Sequence, residues 1–422
     1  MKSVDTDVRV VVGNGVVEQL PDLINEWKCK KAFVVADRNT YTAAGEKICA
    51  ILGNNDIYYS KYILAQEETS PDEYTVGSVV MHFDHTCDVI LGVGSGVIND
   101  TCKILSNLTG CPYFIVATAP SMDGYASATS SMERDGLKVS LSSRCADVII
   151  GDVGIMKNAP MKMLQAGLGD MLAKYVSICE WRIAHIITGE FYSEEIADMV
   201  RRALKRCVEN ADGLMKRDEQ AVEAVFEGLI ICGKAMALAG VSRPASGIEH
   251  YFSHVWDMRA LEFGTKAELH GIQCAVGTLL ALRLYEQVKT IKPDEKKALS
   301  YAEAFDYTAW SCKLKEFLGK GAETMIVLEE KEQKYSVAKH RERLQKIIKH
   351  WDEILSVIEE ELPTSREIAA LLDKIGAPKT AEEIGVSTQL LSTSFQVTKD
   401  IRDKYVLSRL AWDLGVLEEL VV

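Results

Sequence analysis

Three of the eight histidines, His250, His254 and His270, fall within one short stretch of the sequence. His250 and His254 are four residues apart, a spacing that places both imidazoles on one face of a helix. Asp170 lies in an otherwise apolar helical pattern, where a buried carboxylate needs a partner such as Lys174 or a metal ion. One carboxylate with two imidazoles suits Zn²⁺, Ni²⁺ or Fe²⁺ and leaves positions for substrate oxygens. Histidines with ordinary hydrogen-bond partners are the alternative.

A glycine-rich segment, VILGVGSGVINDTCKIL, places Gly92, Gly94 and Gly96 between a strand pattern and a helix pattern. Glycines let a backbone approach a pyrophosphate, and the helix start supplies free N–H groups. The spacing is G-x-G-x-G, a variant of the dinucleotide fingerprint, so a tight strand-to-helix turn is the alternative. Asn99 and Asp100, near the helix start, are candidates for either capping groups or ligand contacts.

Two further acids follow predicted strands. Asp37 ends one strand, where it could accept a hydrogen bond from a ribose hydroxyl or cap the next helix. An acid at this position would repel a 2′-phosphate, which favours NAD over NADP. Asp123 is the one acid in the loop ATAPSMDGYASATSSM (117–132), and loops at the carboxyl ends of parallel strands commonly bind ligands.

The elements that position these residues change in kind near residue 155. Before that point strands alternate with helices, which indicates a parallel, doubly wound sheet. From Lys157 onward we find apolar spacing of three and four and no convincing strand. We therefore predict an α/β domain (1–156) and an all-helical domain (157–422), with ligands bound in the cleft between them. The predicted strands are 8–13, 31–37, 55–64, 87–96, 113–118, 135–143 and 147–152.

Composition excludes several classes of function. The 422 residues carry a net charge of −13 with no cluster of basic and aromatic residues, which disfavours nucleic acid and anionic membranes as partners. No apolar run approaches the roughly 20 residues needed to span a bilayer. The first residues are typical of neither a signal peptide nor a transit peptide, because they include the acidic residues Asp5 and Asp7. The eleven cysteines contain no C-x-x-C pair, which favours a reduced, cytoplasmic protein.

Five segments in order, GVGSGVINDTCK, TAPSMDGYAS, GLGDMLAK, SRPASGIEHYFSH and ELHGIQCAVGT, resemble the iron-containing alcohol dehydrogenase and glycerol dehydrogenase superfamily. The second and fourth most resemble its bacterial sn-glycerol-1-phosphate dehydrogenase branch. The resemblance implies a Rossmann-like domain with a helical domain. A proline common before the strand that ends at Asp152 is absent from Arg144–Ala146, which puts only that turn in doubt. The site residues that the resemblance implies are Asp170, His250 and His270 for the metal; Asp123, His254 and Asp170 for the substrate; and Asp37, Gly94, Ser95, Gly96, Val97, Ile98, Asn99, Asp100, Thr118, Ala119, Pro120, Ser121 and Ser127 for the cofactor.

The activity implied by the resemblance is hydride transfer between NAD(P)H and dihydroxyacetone phosphate to give sn-glycerol 1-phosphate. The metal would act as a Lewis acid, and His254 or Asp123 would relay the proton. Arg243 and Lys138 are the cationic candidates for the substrate phosphate. The resemblance also implies a homodimer.

Other activities remain open at this point. Glycerol dehydrogenase, or another polyol or alcohol dehydrogenase, uses the same superfamily framework. A lyase of the dehydroquinate synthase type shares the architecture and binds NAD and a metal. A metallohydrolase is disfavoured because Glu249 precedes His250, whereas H-E-x-x-H places the acid after the first histidine. A non-enzymatic scaffold would leave the Asp/His set unexplained.

Overall fold

The computed structural model describes residues 8–66 and 68–422. Asp5 and Asp7 lie outside these residues. The chain forms two compact units. Unit 1 consists of Met1–Met171 and Arg202–Gly240, and unit 2 of Leu172–Arg201 and Val241–Val422.

Unit 1 is built on a six-stranded parallel sheet, so the predicted doubly wound α/β architecture is confirmed. Its central strands are short runs of Val, Ile, Ala and Phe that are buried along almost their whole length, as strands covered on both faces must be. The strand order is β1-β8-β5-β4-β2-β3. The sheet strands are β1 Arg9–Gly13, β2 Lys31–Asp37, β3 Tyr58–Leu64, β4 Val89–Gly94, β5 Tyr113–Ala117 and β8 Val148–Asp152.

The remaining two strands, β6 Thr129–Arg134 and β7 Leu137–Ser142, form a separate antiparallel hairpin. Our prediction that 135–143 completes the parallel set is therefore wrong, and part of the predicted loop 117–132 is strand. The reason is the turn between the two strands. Asp135 and Gly136 both adopt positive φ, 56° and 74°, and Asp-Gly is a favoured pair for a two-residue hairpin.

Helices make up most of the remaining chain, and no residue after Lys157 lies in a strand, as predicted. Two short 3₁₀ segments are Asp123–Ala126 and Arg243–Ala245. The first ten helices are α1 Leu20–Glu26, α2 Arg38–Thr40, α3 Glu46–Asn54, α4 Glu73–His82, α5 Gly96–Thr109, α6 Val153–Met156, α7 Met161–Leu172, α8 Lys174–Thr188, α9 Glu194–Asn210 and α10 Glu219–Ala239. The last ten are α11 Ile248–Phe263, α12 His270–Val288, α13 Glu295–Glu303, α14 Tyr307–Leu318, α15 Ala322–Glu332, α16 Val337–Lys349, α17 Trp351–Glu361, α18 Ser365–Lys374, α19 Leu391–Thr398 and α20 Leu407–Asp413.

The compact units differ from the predicted division at residue 156, because unit 1 also contains most of α7, the end of α9 from Arg202, and α10. A Cβ on Gly151 in β8 would lie 2.2 Å from the ring of Phe226 in α10. A Cβ on Gly167 in α7 would lie 1.7 Å from the carbonyl oxygen of Pro120. These close approaches place α10 and most of α7 with the sheet. Residue 156 marks the end of the α/β sequence pattern, whereas the unit includes helices that come later in the chain.

The described residues bear on two features of the composition, the cysteines and the apolar segments. All eleven cysteines lie among them and none is in a disulfide, as the sequence predicts. Within the described chain, no helix is both long and apolar enough to cross a membrane.

Candidate active site

Helices α11 and α12 bring two of the three histidines together in unit 2. His250 lies in the first turn of α11, and His270 is the first residue of α12. A Cβ on Gly277 would lie 2.7 Å from the carbonyl oxygen of Glu249, so only glycine permits this close approach of the two helices. The centroids of the His250 and His270 rings are 5.0 Å apart. The two neighbouring imidazoles therefore come from two different helices, α11 and α12.

The ring of His250 is held by its neighbour in the chain. Its Nδ1 donates to Oε1 of Glu249 at 2.9 Å, and the same oxygen accepts the backbone N–H of Gly247 at 2.6 Å. Both side chains are buried. A neutral imidazole that donates from Nδ1 presents the lone pair of Nε2, which is the form that binds a metal.

The ring of His270 is held in the same tautomer by different groups. The Ser253 hydroxyl donates to Oε1 of Gln273 at 2.6 Å, so its oxygen accepts from Nδ1 of His270 at 2.9 Å. Ser253 and Gln273 are both buried. His270 therefore also presents Nε2 for coordination, and the two imidazoles fit the metal that the sequence predicts.

The sequence analysis did not identify Cys274 as part of this site. Its Sγ lies 3.6 Å from Nε2 of His270, and ligand atoms of His250, His270 and Cys274 all lie within 4.8 Å of one another. Burial raises the pKa of the Cys274 thiol, but the nearby His250 and His270 outweigh it, and the pKa falls below its usual value. The available signal was the i, i+4 spacing from His270, which places both side chains on one face of α12.

His254 is half-buried one turn after His250. Its ring lies 6.3 Å from the His270 ring, centroid to centroid, and within unit 2 it is not one of the clustered donors. The role of His254 as a substrate contact stays a prediction.

A second carboxyl group lies behind His250. Glu180 accepts the backbone N–H groups of Ile248 and Leu407 at 2.8 and 2.7 Å. Burial first, and then the negative charge of Glu249, raise the pKa of Glu180 to about 8. Glu180 thus anchors the start of α11, which carries Glu249 and His250.

In unit 1 the glycine loop joins β4 to α5. A Cβ on Gly94 would lie 2.5 Å from the Ile98 side chain, so the turn requires glycine there. Ser95 Oγ lies 2.7 Å from Ser121 Oγ, and Thr118 N–H donates to the Gly94 carbonyl at 3.1 Å. The loops after the adjacent strands β4 and β5 are therefore fixed to one another at the carboxyl ends of the strands, where doubly wound sheets bind dinucleotides.

The first turn of α5 contains backbone donors without an intrahelical acceptor, followed by side chains that are buried. The N–H groups of Gly96, Val97 and Ile98 lie in the first turn, where a helix offers them no acceptor, so they can donate to an anion. The Asn99 side chain instead bridges Tyr113 and the Gly124 carbonyl at 3.1 Å each.

The side chain of Asp100 also points away from the helix start. The pKa of Asp100 is raised, because the effect of burial outweighs that of the positive charge of Lys103, which lies 3.6 Å away. Lys103, which the sequence analysis did not identify, is fully buried and donates to the Gly124 and Thr129 carbonyls. Asn99, Asp100 and Lys103 therefore hold the loop that contains Asp123.

Asp37 caps the helix that follows it. Its Oδ1 accepts the backbone N–H of Thr40 at 2.8 Å, and the Thr40 hydroxyl accepts the Asp37 N–H at 3.0 Å. Asp37 nevertheless ends β2, the neighbour of β4, at the edge of the sheet where the glycine loop lies. Ser127, further along, pairs with Thr129 at 2.9 Å.

Asp170 lies fully buried near the end of α7 in unit 1. Its Oδ2 accepts the backbone N–H of Asp123 at 2.9 Å. Gly167 on the same helix packs closely against the Pro120 carbonyl, so α7 contacts the loop after β5 at a second point. Within unit 1, the loop after β5 is thus held against α7 at Pro120 and at Asp123, next to the carboxylate of Asp170.

Cationic side chains surround the start of α11 in unit 2. Arg243 is buried and donates to Glu190 at 2.7 Å and to the Tyr405 carbonyl at 2.8 Å, which indicates a structural role. Lys404 donates to the Ser246 carbonyl at 2.9 Å. The pKa of Lys404 is lowered to about 7, mainly by burial, and the positive charges of Arg243 and Arg402 add to this lowering.

The fold and these residues define a class. A doubly wound sheet with a glycine loop at its carboxyl edge is typical of dinucleotide-binding proteins. Two imidazoles prepared for metal binding in a helical unit are typical of metal-assisted enzymes.

Comparison with known proteins agrees. The family model described as iron-containing alcohol dehydrogenase matches residues 11–160. The chain is 29% identical over 399 residues to a glycerol-1-phosphate dehydrogenase (NAD(P)+) of Halalkalibacterium halodurans, covering 94% of this chain and 90% of that relative. It is 34% identical over 280 residues to the enzyme of the same name from Methanosarcina mazei, covering 65% and 76%.

Solved structures show the same fold. The glycerol dehydrogenase of Schizosaccharomyces pombe superposes with a TM-score of 0.61 at 17% identity, covering 97% of this chain and 89% of that one. The chain belongs to the iron-containing alcohol dehydrogenase family and is an oxidoreductase, so the predicted family is confirmed.

Proposed function

We propose that the protein is a metal-dependent sn-glycerol-1-phosphate dehydrogenase that transfers hydride between NAD(P)H and dihydroxyacetone phosphate. The observation that carries the proposal is the pair of imidazoles, His250 and His270, whose Nδ1 atoms are both held by buried partners. The names of the curated relatives support the choice of substrate. A homodimer, expected from the resemblance, is part of the same proposal.

The metal ligands in this proposal are Asp170, His250 and His270. Two imidazoles and a carboxylate suit Zn²⁺, Ni²⁺ or Fe²⁺. A divalent metal held there would supply Lewis-acid polarisation of the substrate carbonyl. Glu249 and Ser253 orient the two rings, and the Asp123 N–H orients the carboxylate of Asp170.

The dinucleotide in this proposal lies along the carboxyl edge of the sheet. Backbone N–H groups of Gly96, Val97 and Ile98 receive the pyrophosphate, because they start α5 without intrahelical acceptors. Asp37 caps α2 through one carboxylate oxygen, and we propose that it also faces the adenosine ribose, which favours NAD over NADP. Bound NADH supplies the hydride. Ser95, Thr118, Ala119, Pro120, Ser121 and Ser127 complete the cofactor site, whereas Asn99 and Asp100 hold its loops.

The phosphate of the substrate distinguishes it from free glycerol. We assign this group to Lys404 and Arg402, because Arg243 is occupied by Glu190. The Tyr251 hydroxyl is buried with no partner among the described groups, and its ring lies 5.9 Å from Lys404 Nζ. A phosphate at this position would gain charge-assisted hydrogen bonds. Lys138, on β7, stays a prediction from the sequence.

The proton that accompanies hydride transfer is assigned to His254 or Asp123. His254 lies beside the metal-ligand histidines without being one of the clustered donors. Asp123 is held next to Asp170 through its own backbone N–H. Both are therefore close to the proposed ligands and can donate or accept a proton, directly or through a water.

The test is NADH oxidation by the purified protein with dihydroxyacetone phosphate, before and after chelation and after metal is restored. We expect oxidation that stops with chelator and returns with metal. Failure of oxidation with metal restored would refute the proposal. Oxidation with unphosphorylated dihydroxyacetone only would identify a glycerol dehydrogenase. Turnover of a substrate with no net change in NADH would favour a lyase of the dehydroquinate synthase type.

A further inference from the structure

Cys274 lies at the imidazole pair of unit 2. It is fully buried on α12, one helical turn after His270, and its Sγ is 3.6 Å from Nε2 of that histidine. The ligand atoms of Cys274, His270 and His250 lie within 4.8 Å of one another. Because Ser253 accepts from Nδ1 of His270, the nitrogen nearest to the sulfur is the one prepared for coordination.

The distance between sulfur and nitrogen fits two ligands of one ion. Bond lengths of about 2.3 Å for Zn–S and about 2.05 Å for Zn–N, at the tetrahedral angle, separate the two ligand atoms by about 3.6 Å. Nε2 of His270 and Sγ of Cys274 are 3.6 Å apart. The two residues are on the same face of α12, so no movement of a helix is needed to bring them to a common ion.

We propose that the thiolate of Cys274 is a further ligand of the divalent metal, beside His250 and His270. This inference rests on the proposed metal-dependent function and deepens it. On binding, the S–H bond breaks, an S–metal bond forms, and the proton leaves to solvent, so metal uptake releases a proton. A thiolate is a soft ligand, so it shifts the preference of the site from Fe²⁺ towards Zn²⁺.

Cobalt substitution tests this proposal without relying on turnover. Co²⁺ bound by a thiolate has a near-ultraviolet charge-transfer band, which nitrogen and oxygen ligands do not produce. We expect the band in the wild-type protein and its loss in Cys274→Ala and in Cys274→Ser, which keeps the size of the side chain. The matched control is Cys179→Ala, since Cys179 is equally buried in unit 2 on α8. We expect Cys179→Ala to keep the band.

Zn²⁺ affinity, measured by competition with a chromophoric chelator, is the second measurement. Loss of one ligand should weaken binding about tenfold or more in Cys274→Ala and leave Cys179→Ala unchanged. A Co²⁺ protein that oxidises NADH with dihydroxyacetone phosphate but lacks the band, or a band that survives in Cys274→Ser, would overturn the thiolate ligand alone. A band that depends on Cys274 in a protein without that oxidation would instead overturn the proposed activity and leave the ligand standing.

Discussion

At pH 8 a lysine whose pKa is about 7 is charged in only about one-tenth of the molecules. Lys404 is such a lysine, because it is desolvated and lies near Arg243 and Arg402. Glu249 and Asp403 act in the opposite direction but do not compensate. A phosphate dianion bound beside Lys404 would favour the ammonium form and raise its pKa. Substrate binding should therefore take up a proton above pH 7.

The sign and size of the effect follow from linkage. The KM for dihydroxyacetone phosphate should rise by up to about tenfold per pH unit above pH 7, until the pKa of the complex is reached. The substrate itself is dianionic across this range, since the second pKa of a phosphate monoester is about 6. Lys404→Arg keeps its charge at every pH, so its KM should be flat from pH 7 to 9. Lys404→Met should have a KM that does not change with pH and is about ten- to hundredfold higher than that of the wild type at pH 7. This factor corresponds to the loss of one charge-assisted hydrogen bond.

The assay is steady-state NADH oxidation at several pH values for the wild type and both variants. Lys297→Met is the control, because Lys297 is exposed and pairs with Glu419 at 2.7 Å. We expect this control to follow the wild-type profile. Parallel KM profiles for the wild type and Lys404→Arg would refute the assignment of Lys404 to the substrate phosphate.

Three further predictions concern the site and its supports. His250→Ala should lose metal by elemental analysis, whereas His254→Ala should keep metal and lose turnover; equal metal loss would make His254 a ligand. Ser253→Ala removes the acceptor that orients the imidazole at the start of α12, so metal affinity should fall about 10- to 100-fold. Ser356→Ala, which removes a hydroxyl bonded to a carbonyl of its own helix α17 at 2.9 Å, should leave affinity unchanged, and similar losses would contradict the role of Ser253. Gly167→Ala places a Cβ 1.7 Å from a backbone carbonyl oxygen of the loop after β5 and should destabilise the protein by about 1–3 kcal/mol in chemical denaturation, whereas an unchanged midpoint would contradict that contact.

The sequence was sufficient for features that depend on local pattern. Buried strands of a parallel sheet are continuous apolar runs, so β2, β4, β5 and β8 could be located from composition and flanking turns. The glycine loop was recognisable because a strand, a turn and a helix are contiguous in the chain. The His250/His254 spacing indicated a shared helix face for the same reason. The ordered motifs then indicated the family, which the comparisons confirm.

Features that depend on contacts between distant segments were not predictable in this way. Asn99 was a candidate cofactor contact, but packing against Tyr113 turns its side chain inward. Arg243 was a candidate phosphate ligand, but the fold pairs it with Glu190, and Lys404 arrives from a segment about 160 residues later in the chain. The hairpin partner of β7 was read as loop, because small hydroxyl residues have no strong strand signal.

The histidine cluster shows most clearly what each level determines. The sequence alone determined that α11 carries two imidazoles on one face and that His270 starts the next helix. The partner of His250, Glu249, is its neighbour in the sequence. Only the tertiary structure decided which nitrogen His270 presents, because Ser253 of α11 contacts His270 of α12 from the facing helix. The same crossing, which requires glycine at position 277, places Cys274 among the donors. Side-chain chemistry is local, whereas a coordination site is a property of the packing that brings the side chains to one point.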